Sequence, residues 1–198
     1  MKFIHHHKYI YLCLALMSCL YVYLAYFLQR HQTPLLLSAA ALLFLCTYYL
    51  YFKKGNDTGF VLGVGIILRL LFVFALPNLS QDYFRFIWDG RMISEGLNPY
   101  LHLPQNLITN PNFNLPQAQE LFQGMGSLSA QHYSNYPPVN QLIFGISSYV
   151  TPTSIFYNAL ILKLIILVSD IGIYHYGRKI LRYLDRFQAP DRQTDCTE

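Results

Sequence analysis

Charged residues are unusually scarce in this sequence. Only 12% of its 198 residues are Asp, Glu, Lys or Arg, whereas a soluble domain carries roughly 25%. Hydrophobic residues make up 54% of the chain, and the small net charge of +4 comes mostly from short basic clusters beside apolar runs. This composition disfavours a soluble domain and a nucleic-acid-binding protein, and it indicates a protein embedded in a lipid bilayer.

Cysteine is also scarce, and a glycine-rich nucleotide-binding loop is missing. Three of the four cysteines lie within apolar runs, so the sequence does not suggest a disulfide framework. The triplet His5, His6 and His7 has no cysteine or carboxylate beside it. We therefore expect no metal site and no cofactor, and we interpret the triplet as part of a basic cytoplasmic N-terminus.

Long apolar runs predict membrane-spanning helices. Four of them cover residues 9–28, 34–52, 60–79 and 155–176, and a helix of about 20 apolar residues crosses the hydrocarbon core. The first run is longer than the roughly 7–15 apolar residues of a signal peptide, so we expect it to be retained. A fifth run, 139–150, is too short to span and predicts an interfacial or re-entrant helix.

The basic clusters predict the topology. They lie at 2–8, 53–54 and 178–186, and all three are cytoplasmic if both termini are cytoplasmic and the chain crosses four times. The sequence thus predicts an all-α integral membrane protein with about four transmembrane helices. Its parts are three helices in 1–79, an external loop in 80–154 with short helices near 81–95 and 115–123, a fourth helix with its basic end in 155–187, and a polar tail in 188–198.

An acid–base–acid row begins the external loop. We expect Ser80 to cap a helix on which Asp82, Arg85 and Asp89 share one face. One interpretation is a solvated row of surface ion pairs, each worth less than about 1 kcal/mol. The other is a site in which a carboxylate deprotonates an acceptor hydroxyl and an arginine binds a phosphate. The spacing permits both.

Apolar and polar neighbours add two further expectations. Phe84, Ile87 and Trp88 form a stripe beside the acidic row, and we expect this stripe to rest on the membrane surface. Further along the loop, His132 and Tyr136 are candidates for substrate binding, although a single external histidine is more often an ordinary surface residue.

Three motifs in this loop carry a family resemblance. The segment SQDYFRFIWDGR at 80–91, GLNPY at 96–100 and YPP at 136–138 together resemble the first external loop of bacterial polyprenol-phosphate-mannose-dependent mannosyltransferases of the GT-C superfamily. The resemblance covers residues 60–185. By position it implies that Asp82 is the catalytic base, with Asp89 as the reserve candidate. Arg85 and Arg91 would then contact the donor phosphate.

The resemblance implies a function and a location. We expect a mannosyl or other hexosyl transferase of the bacterial inner membrane that moves a sugar from a polyprenyl-phosphate donor to a glycan or lipid acceptor. The transfer would invert the anomeric centre without a covalent intermediate. Members of this superfamily continue for many more membrane helices, so we expect this chain to be a fragment, a frameshift product, or a half completed by a partner subunit, and to be inactive alone. The alternative is a non-enzymatic transporter or assembly subunit.

Overall fold

All regular secondary structure in the described part of the chain is helical. The computed structural model describes residues 2–55 and 57–187, with side chains for 8–55 and 57–185. The helices are α1 (Lys2–Tyr26), α2 (Thr33–Lys54), α3 (Thr58–Val73), α4 (Asp82–Ser94), α5 (Pro104–Ile108), α6 (Ala118–Ala130), α7 (Pro138–Val150) and α8 (Ile155–Phe187). The polar tail predicted for 188–198 and the side chains of His5, His6 and His7 lie outside the described residues.

Within the part of the chain that the structure describes, three helices are long and apolar enough to cross a membrane. They are α1 over Lys8–Tyr26, α2 over its whole length, and α8 over Ile155–Asp185. Helix α3 is apolar but has 16 residues, a rise of about 24 Å, against a hydrocarbon core of about 30 Å. The all-α membrane fold class is confirmed, whereas the fourth crossing stays a prediction.

The described residues form two compact units, one ending at Leu162 and the other beginning at Lys163. Helix α8 begins in the first unit and continues through the second. The candidate site and every helix from α1 to α7 belong to the first unit, and the second unit is the remainder of α8 together with its basic end.

The end of α1 is attached to α3 and to the chain that follows α3. The Tyr26 hydroxyl donates to the Leu71 carbonyl oxygen at 3.1 Å, and the Asn78 side-chain amide donates to the Ala25 carbonyl oxygen at 3.3 Å. Both bonds give a donor to a carbonyl group in the last turn of a helix, where no backbone N–H of the same helix is available. They hold the α1–α2 connection beside the chain that leads into α4.

The loop after α3 has a hydrophobic core of its own. Ile87, Trp88 and Met92 of α4 are buried against Leu121 and Met125 of α6. Phe84 is partly buried against the same core. The expectation that Phe84, Ile87 and Trp88 rest on the membrane surface is therefore wrong, because α6 covers this face of α4. The predicted helices near 81–95 and 115–123 are confirmed as α4 and α6, although α6 begins and ends later than predicted.

Helix α6 is interrupted at Gly126. Its backbone has φ 73° and ψ 165°, a conformation that is essentially restricted to glycine. The break lets the last turn of α6 change direction, and the Gln81 side-chain amide donates to the Met125 carbonyl oxygen at 3.2 Å beside it. A break at this glycine was not predicted from the sequence.

Helix α7 packs on α4 through small and polar residues. A Cβ added at Gly90 of α4 would lie 2.2 Å from the Phe144 carbonyl oxygen and 2.5 Å from Ser148 Oγ, so only glycine permits this approach. The outward face of α7 is instead apolar, with Val139, Leu142, Ile146, Tyr149 and Val150 exposed. The helix predicted for 139–150 is confirmed, and its interfacial placement stays a prediction.

Candidate functional site

A cavity of about 750 Å³, lined mainly by residues with polar side chains, opens at the start of α4. Its lining comes from the α1–α2 connection, the start of α4 with the chain just before it, the last turn of α6, and the α6–α7 segment (residues 131–137). The lining residues are Arg30, Leu79, Ser80, Gln81, Asp82, Arg85, Leu128, Ser129, His132, Tyr133, Ser134, Asn135 and Tyr136. Four residues predicted from the sequence, namely Asp82, Arg85, His132 and Tyr136, are thus brought together.

Asp82 places an exposed carboxylate in this cavity. It is the first residue of α4, where the helix dipole favours a negative charge, and its side chain is exposed. The Ser80 hydroxyl donates to Asp82 Oδ2 at 2.9 Å and accepts from the Asp82 backbone N–H at 3.2 Å. The N-cap position belongs to Gln81 rather than to Ser80, so the predicted cap is wrong by one residue. Ser80 instead orients the Asp82 carboxylate.

Arg85 forms part of the cavity wall and is almost wholly buried. Its side chain is 3% exposed. The Nε donates to Asp89 Oδ1 at 2.8 Å, and Nη1 donates to the carbonyl oxygens of Ser129 at 2.7 Å and His132 at 3.0 Å. Its Nη2 is buried without a hydrogen-bond partner among the described residues. The guanidinium is therefore held rigidly by three hydrogen bonds, and one buried nitrogen stays unpaired.

Asp89 lies behind the cavity wall and is 0% exposed. Its Oδ1 accepts from Arg85 at 2.8 Å. Its Oδ2 accepts from the Ser134 hydroxyl at 2.5 Å and from Gln141 Nε2 at 2.9 Å. Both carboxylate oxygens are occupied, so Asp89 joins α4, α7 and the α6–α7 segment. The acid–base row is thus a buried ion pair and one exposed carboxylate, and the interpretation as a solvated row does not hold.

Arg91 lies outside the cavity. Its Nη1 donates to the Pro116 carbonyl oxygen, and its Nη2 donates to Gln117 Oε1 at 2.8 Å. Burial lowers the pKa of Arg91 to about 10, partly opposed by the carboxylate of Glu120. These bonds hold the segment that leads into α6, where Gln117 adopts a positive φ of 53°.

Tyr136 lines the cavity beside Asp82. Its ring lies 5.0 Å from the ring of Phe86 and 5.7 Å from that of Phe144, edge to face in both pairs. Burial raises the pKa of the Tyr136 hydroxyl above its ordinary value, and the negative charge of Asp82 raises it further. The phenol therefore keeps its proton at neutral pH and can serve as a hydrogen-bond donor in the cavity.

His132 is exposed at the cavity, and its ring orientation is set by one contact. Its Nδ1 lies 2.7 Å from the Leu128 carbonyl oxygen. Because a carbonyl oxygen only accepts, Nδ1 must carry the proton. In the neutral ring, Nε2 is then an acceptor.

Arg30 is a cavity residue that the sequence interpretation missed. It lies in a turn in which the Gln32 backbone N–H donates to the Gln29 carbonyl oxygen at 3.0 Å, and its side chain is exposed. The available signal was topological. The positive-inside pattern puts the connection between the first two spans on the same side as the 80–154 loop, but it does not indicate that the two meet.

Comparison with known proteins identifies the family. Residues 5–189 match the family model described as alpha-(1->6)-mannopyranosyltransferase, N-terminal domain (the MptA_B family). The chain belongs to this family. Comparison with curated proteins and comparison with solved structures gave no match.

Membership in the alpha-(1->6)-mannopyranosyltransferase family confirms the predicted resemblance to membrane mannosyltransferases. It supports a mannosyltransferase-type glycosyltransferase, for which a sugar donor and an acceptor are implied. The matched region contains Arg30, the whole of α4 and the α6–α7 segment, so the cavity lies within the family's N-terminal domain. Among the described side chains, no three His, Cys, Asp or Glu residues converge as a metal site would require.

Proposed function

We propose that this chain forms the catalytic-base side of a mannosyltransferase that uses a polyprenyl-phosphate-linked mannose and transfers the sugar to a glycan or lipid acceptor. The observation that carries the proposal is the position of Asp82. Among the described residues that line the cavity, Asp82 has the only carboxylate. It lies on the loop that follows the apolar helix α3, where a membrane-anchored donor can reach it.

The chemistry assigned to Asp82 is general-base catalysis with inversion. Its carboxylate takes the proton of an acceptor hydroxyl as the hydroxyl oxygen attacks the anomeric carbon of the donor. The bond between that carbon and the phosphate oxygen breaks, and its electron pair leaves with the polyprenyl phosphate. A positioned base contributes typically about 10²–10⁴ in rate. No covalent enzyme intermediate and no cofactor enter this scheme.

The neighbouring residues position the base. The Ser80 hydroxyl orients Asp82, and the buried Arg85–Asp89 pair holds the α6–α7 segment against α4. We assign the base to Asp82 rather than Asp89, because both oxygens of Asp89 already accept hydrogen bonds. Arg91 is assigned a structural role for the same reason, since Pro116 and Gln117 already accept from it.

The proposal also includes a location and a completing element. The cavity would face the outside of a bacterial inner membrane, with both termini in the cytoplasm, because this arrangement keeps the basic clusters cytoplasmic. The matching family is described as an N-terminal domain. Further membrane helices, from the same protein or a partner subunit, would therefore complete the groove for the polyprenyl chain.

The test is the loss of transfer in Asp82→Asn. Membranes containing the full-length protein would be incubated with radiolabelled polyprenyl-phosphate mannose, and labelled acceptor would be measured. We expect transfer to fall at least about 100-fold, because the base is lost, with an unchanged amount of protein in the membrane. The matched control is Glu95→Gln, which removes an exposed carboxylate at the other end of α4. Transfer that survives Asp82→Asn would favour a non-enzymatic role for this domain.

A further inference from the structure

We propose that Arg30, in the connection between α1 and α2, binds the phosphate group of the lipid-linked donor. This inference rests on the proposed function, since it assigns the anion-binding part of the same cavity. The ligand chemistry is a phosphate ester, with one negative charge as the sugar phosphodiester and up to two after the sugar has left.

The position of Arg30 along the chain suits a lipid phosphate. The candidate spans end at Tyr26 in α1 and begin again at Thr33 in α2. A turn between two spans lies at the membrane surface, where lipid headgroups are found. Within this turn the Gln29 backbone N–H donates to Gln32 Oε1 at 3.1 Å. The Gln32 backbone N–H donates to the Gln29 carbonyl oxygen at 3.0 Å and closes the turn. Arg30 is thereby held near the tip.

The tertiary structure brings this turn to Asp82. The bond from Asn78 to Ala25 joins the end of α1 to the chain just before α4. Arg30 and Asp82 consequently line one cavity, although α2 and α3 separate them in the sequence. A phosphate held at Arg30 would place the sugar attached to it toward the proposed base.

Arg30 has the donor capacity that the other cavity arginine lacks. Arg85 has committed Nε and Nη1 to Asp89 and to two backbone carbonyls. For Arg30, by contrast, the structure gives no hydrogen bond or ion pair to any described residue, and its side chain is exposed. A free guanidinium presents a planar fork that matches two phosphate oxygens. The remaining nitrogen of Arg85, Nη2, is buried and is therefore not offered to a ligand in the cavity.

Charge in the cavity leads to the same assignment. Arg85 is neutralised by Asp89 at 2.8 Å, which leaves the exposed Asp82 carboxylate as the remaining charge on the α4 side of the cavity. A negative carboxylate opposes the entry of a second anion. Arg30 offsets that repulsion. It would also bind the departing monoester more strongly than the donor, because the monoester carries more negative charge.

The experiment measures binding rather than transfer. Purified full chain in detergent would be titrated with radiolabelled geranyl phosphate, with geraniol as the uncharged counterpart. We expect saturable binding of the phosphate only. Arg30→Gln should weaken that binding at least tenfold and Arg30→Lys by less, because lysine keeps the charge but loses the fork. Arg178→Gln, the same change at an exposed arginine of α8, should leave binding unchanged.

Competition identifies the source of the phosphate. Unlabelled geranyl phosphate should displace the label at concentrations at which inorganic phosphate and phosphatidylglycerol do not. Equal displacement by phosphatidylglycerol would overturn the donor assignment in favour of a general headgroup site. Binding by Arg30→Gln within twofold of the unmodified chain, or no saturable binding by the unmodified chain, would overturn the proposal itself.

The two proposals can fail separately. Asp82→Asn should bind geranyl phosphate at least as tightly as the unmodified chain, because it removes a negative charge that opposes the anion and removes no donor. Transfer unaffected by Asp82→Asn together with binding lost in Arg30→Gln would reject the base and retain the phosphate site. The reverse pattern, with transfer lost in Asp82→Asn and binding kept in Arg30→Gln, would reject only the phosphate site.

Discussion

Arg85 Nε lies 2.8 Å from Asp89 Oδ1 within α4, and both side chains are buried. The pair is one turn apart, so helix geometry brings the two groups together. Its surroundings make it more than a helix-surface pair. Ser134 and Gln141 donate to Asp89 Oδ2, and Arg85 Nη1 donates to the carbonyl oxygens of Ser129 and His132. The pair thereby fixes the wall of the cavity in which Asp82 lies.

Asp89→Asn should therefore destabilise the protein. The change leaves the buried Arg85 guanidinium without its counter-charge, and breaking a buried pair in this way costs about 3–5 kcal/mol. Thermal unfolding in detergent should show a clearly lower midpoint, and less protein should reach the membrane. Asp82→Asn is the matched control, since its carboxylate is exposed, and it should unfold as the unmodified protein does. Equal midpoints for both variants would contradict a structural role for Asp89.

Gly90→Ala should loosen the packing of α7 on α4. The added Cβ would meet the Phe144 carbonyl oxygen at 2.2 Å, and backbone atoms cannot move aside without shifting the helix. Overpacking of this kind costs typically about 1–3 kcal/mol. The unfolding midpoint should fall, and transfer should fall with it.

The control for Gly90→Ala is Gly63→Ala in α3. No atom lies within 4 Å of a Cβ built at Gly63, and alanine is the better helix former. This variant should be at least as stable as the unmodified protein. If Gly90→Ala were as stable as Gly63→Ala, the close packing of α7 on α4 at Gly90 would be contradicted.

Tyr136→Phe should reduce transfer without destabilising the protein. The phenylalanine ring keeps the contacts with Phe86 and Phe144 but loses the hydrogen-bond donor in the cavity. We expect transfer to fall roughly tenfold, the loss of about one hydrogen bond to a charged group, with an unchanged unfolding midpoint. Tyr149→Phe, at an exposed tyrosine of α7, should change neither property.

The pH dependence of the reduced transfer rate in Tyr136→Phe follows from the raised pKa of the Tyr136 hydroxyl in the unmodified protein. An unperturbed tyrosine ionises near about pH 10, and a raised pKa moves that ionisation to still higher pH. The donor is thus present at every pH below about 9, so the ratio of variant to unmodified transfer rates should be constant between about pH 7 and 9. A defect that disappears as pH rises toward 9 would mean that the hydroxyl ionises in this range.

Cysteine labelling tests whether the short helix α3 crosses the membrane. In a background with the native cysteines changed to alanine, Asn112→Cys and Thr58→Cys would each be exposed to a membrane-impermeant maleimide on intact spheroplasts. Both positions are exposed in the structure. If α3 crosses, position 112 should react and position 58 should react only after permeabilisation. Equal reaction at both positions would place them on one side of the membrane and reject the fourth crossing.

Several features could be predicted from the sequence because they depend on neighbouring residues. Helix α7, confirmed at Pro138–Val150, follows from a short apolar run that begins after proline. Long apolar runs likewise predict α1, α2 and α8, since crossing a bilayer demands about 20 predominantly apolar residues in sequence. The position of Asp82 in the first turn of α4 is equally local, as is its resemblance to a family motif.

The exposure of the polar residues depends on the packing of helices that are distant in the sequence. Asp82 and Asp89 share one face of α4, yet α7 and the α6–α7 segment cover Asp89 and leave Asp82 open. Arg30 reaches the same cavity through bonds between the end of α1 and the chain before α4. The longer helices could be predicted from the sequence, because helix formation and membrane insertion respond to local hydrophobicity. The short helix α5 and the break in α6 at Gly126 could not. Burial and the composition of the cavity depend on contacts between segments far apart in the chain, and these exist only after the helices pack.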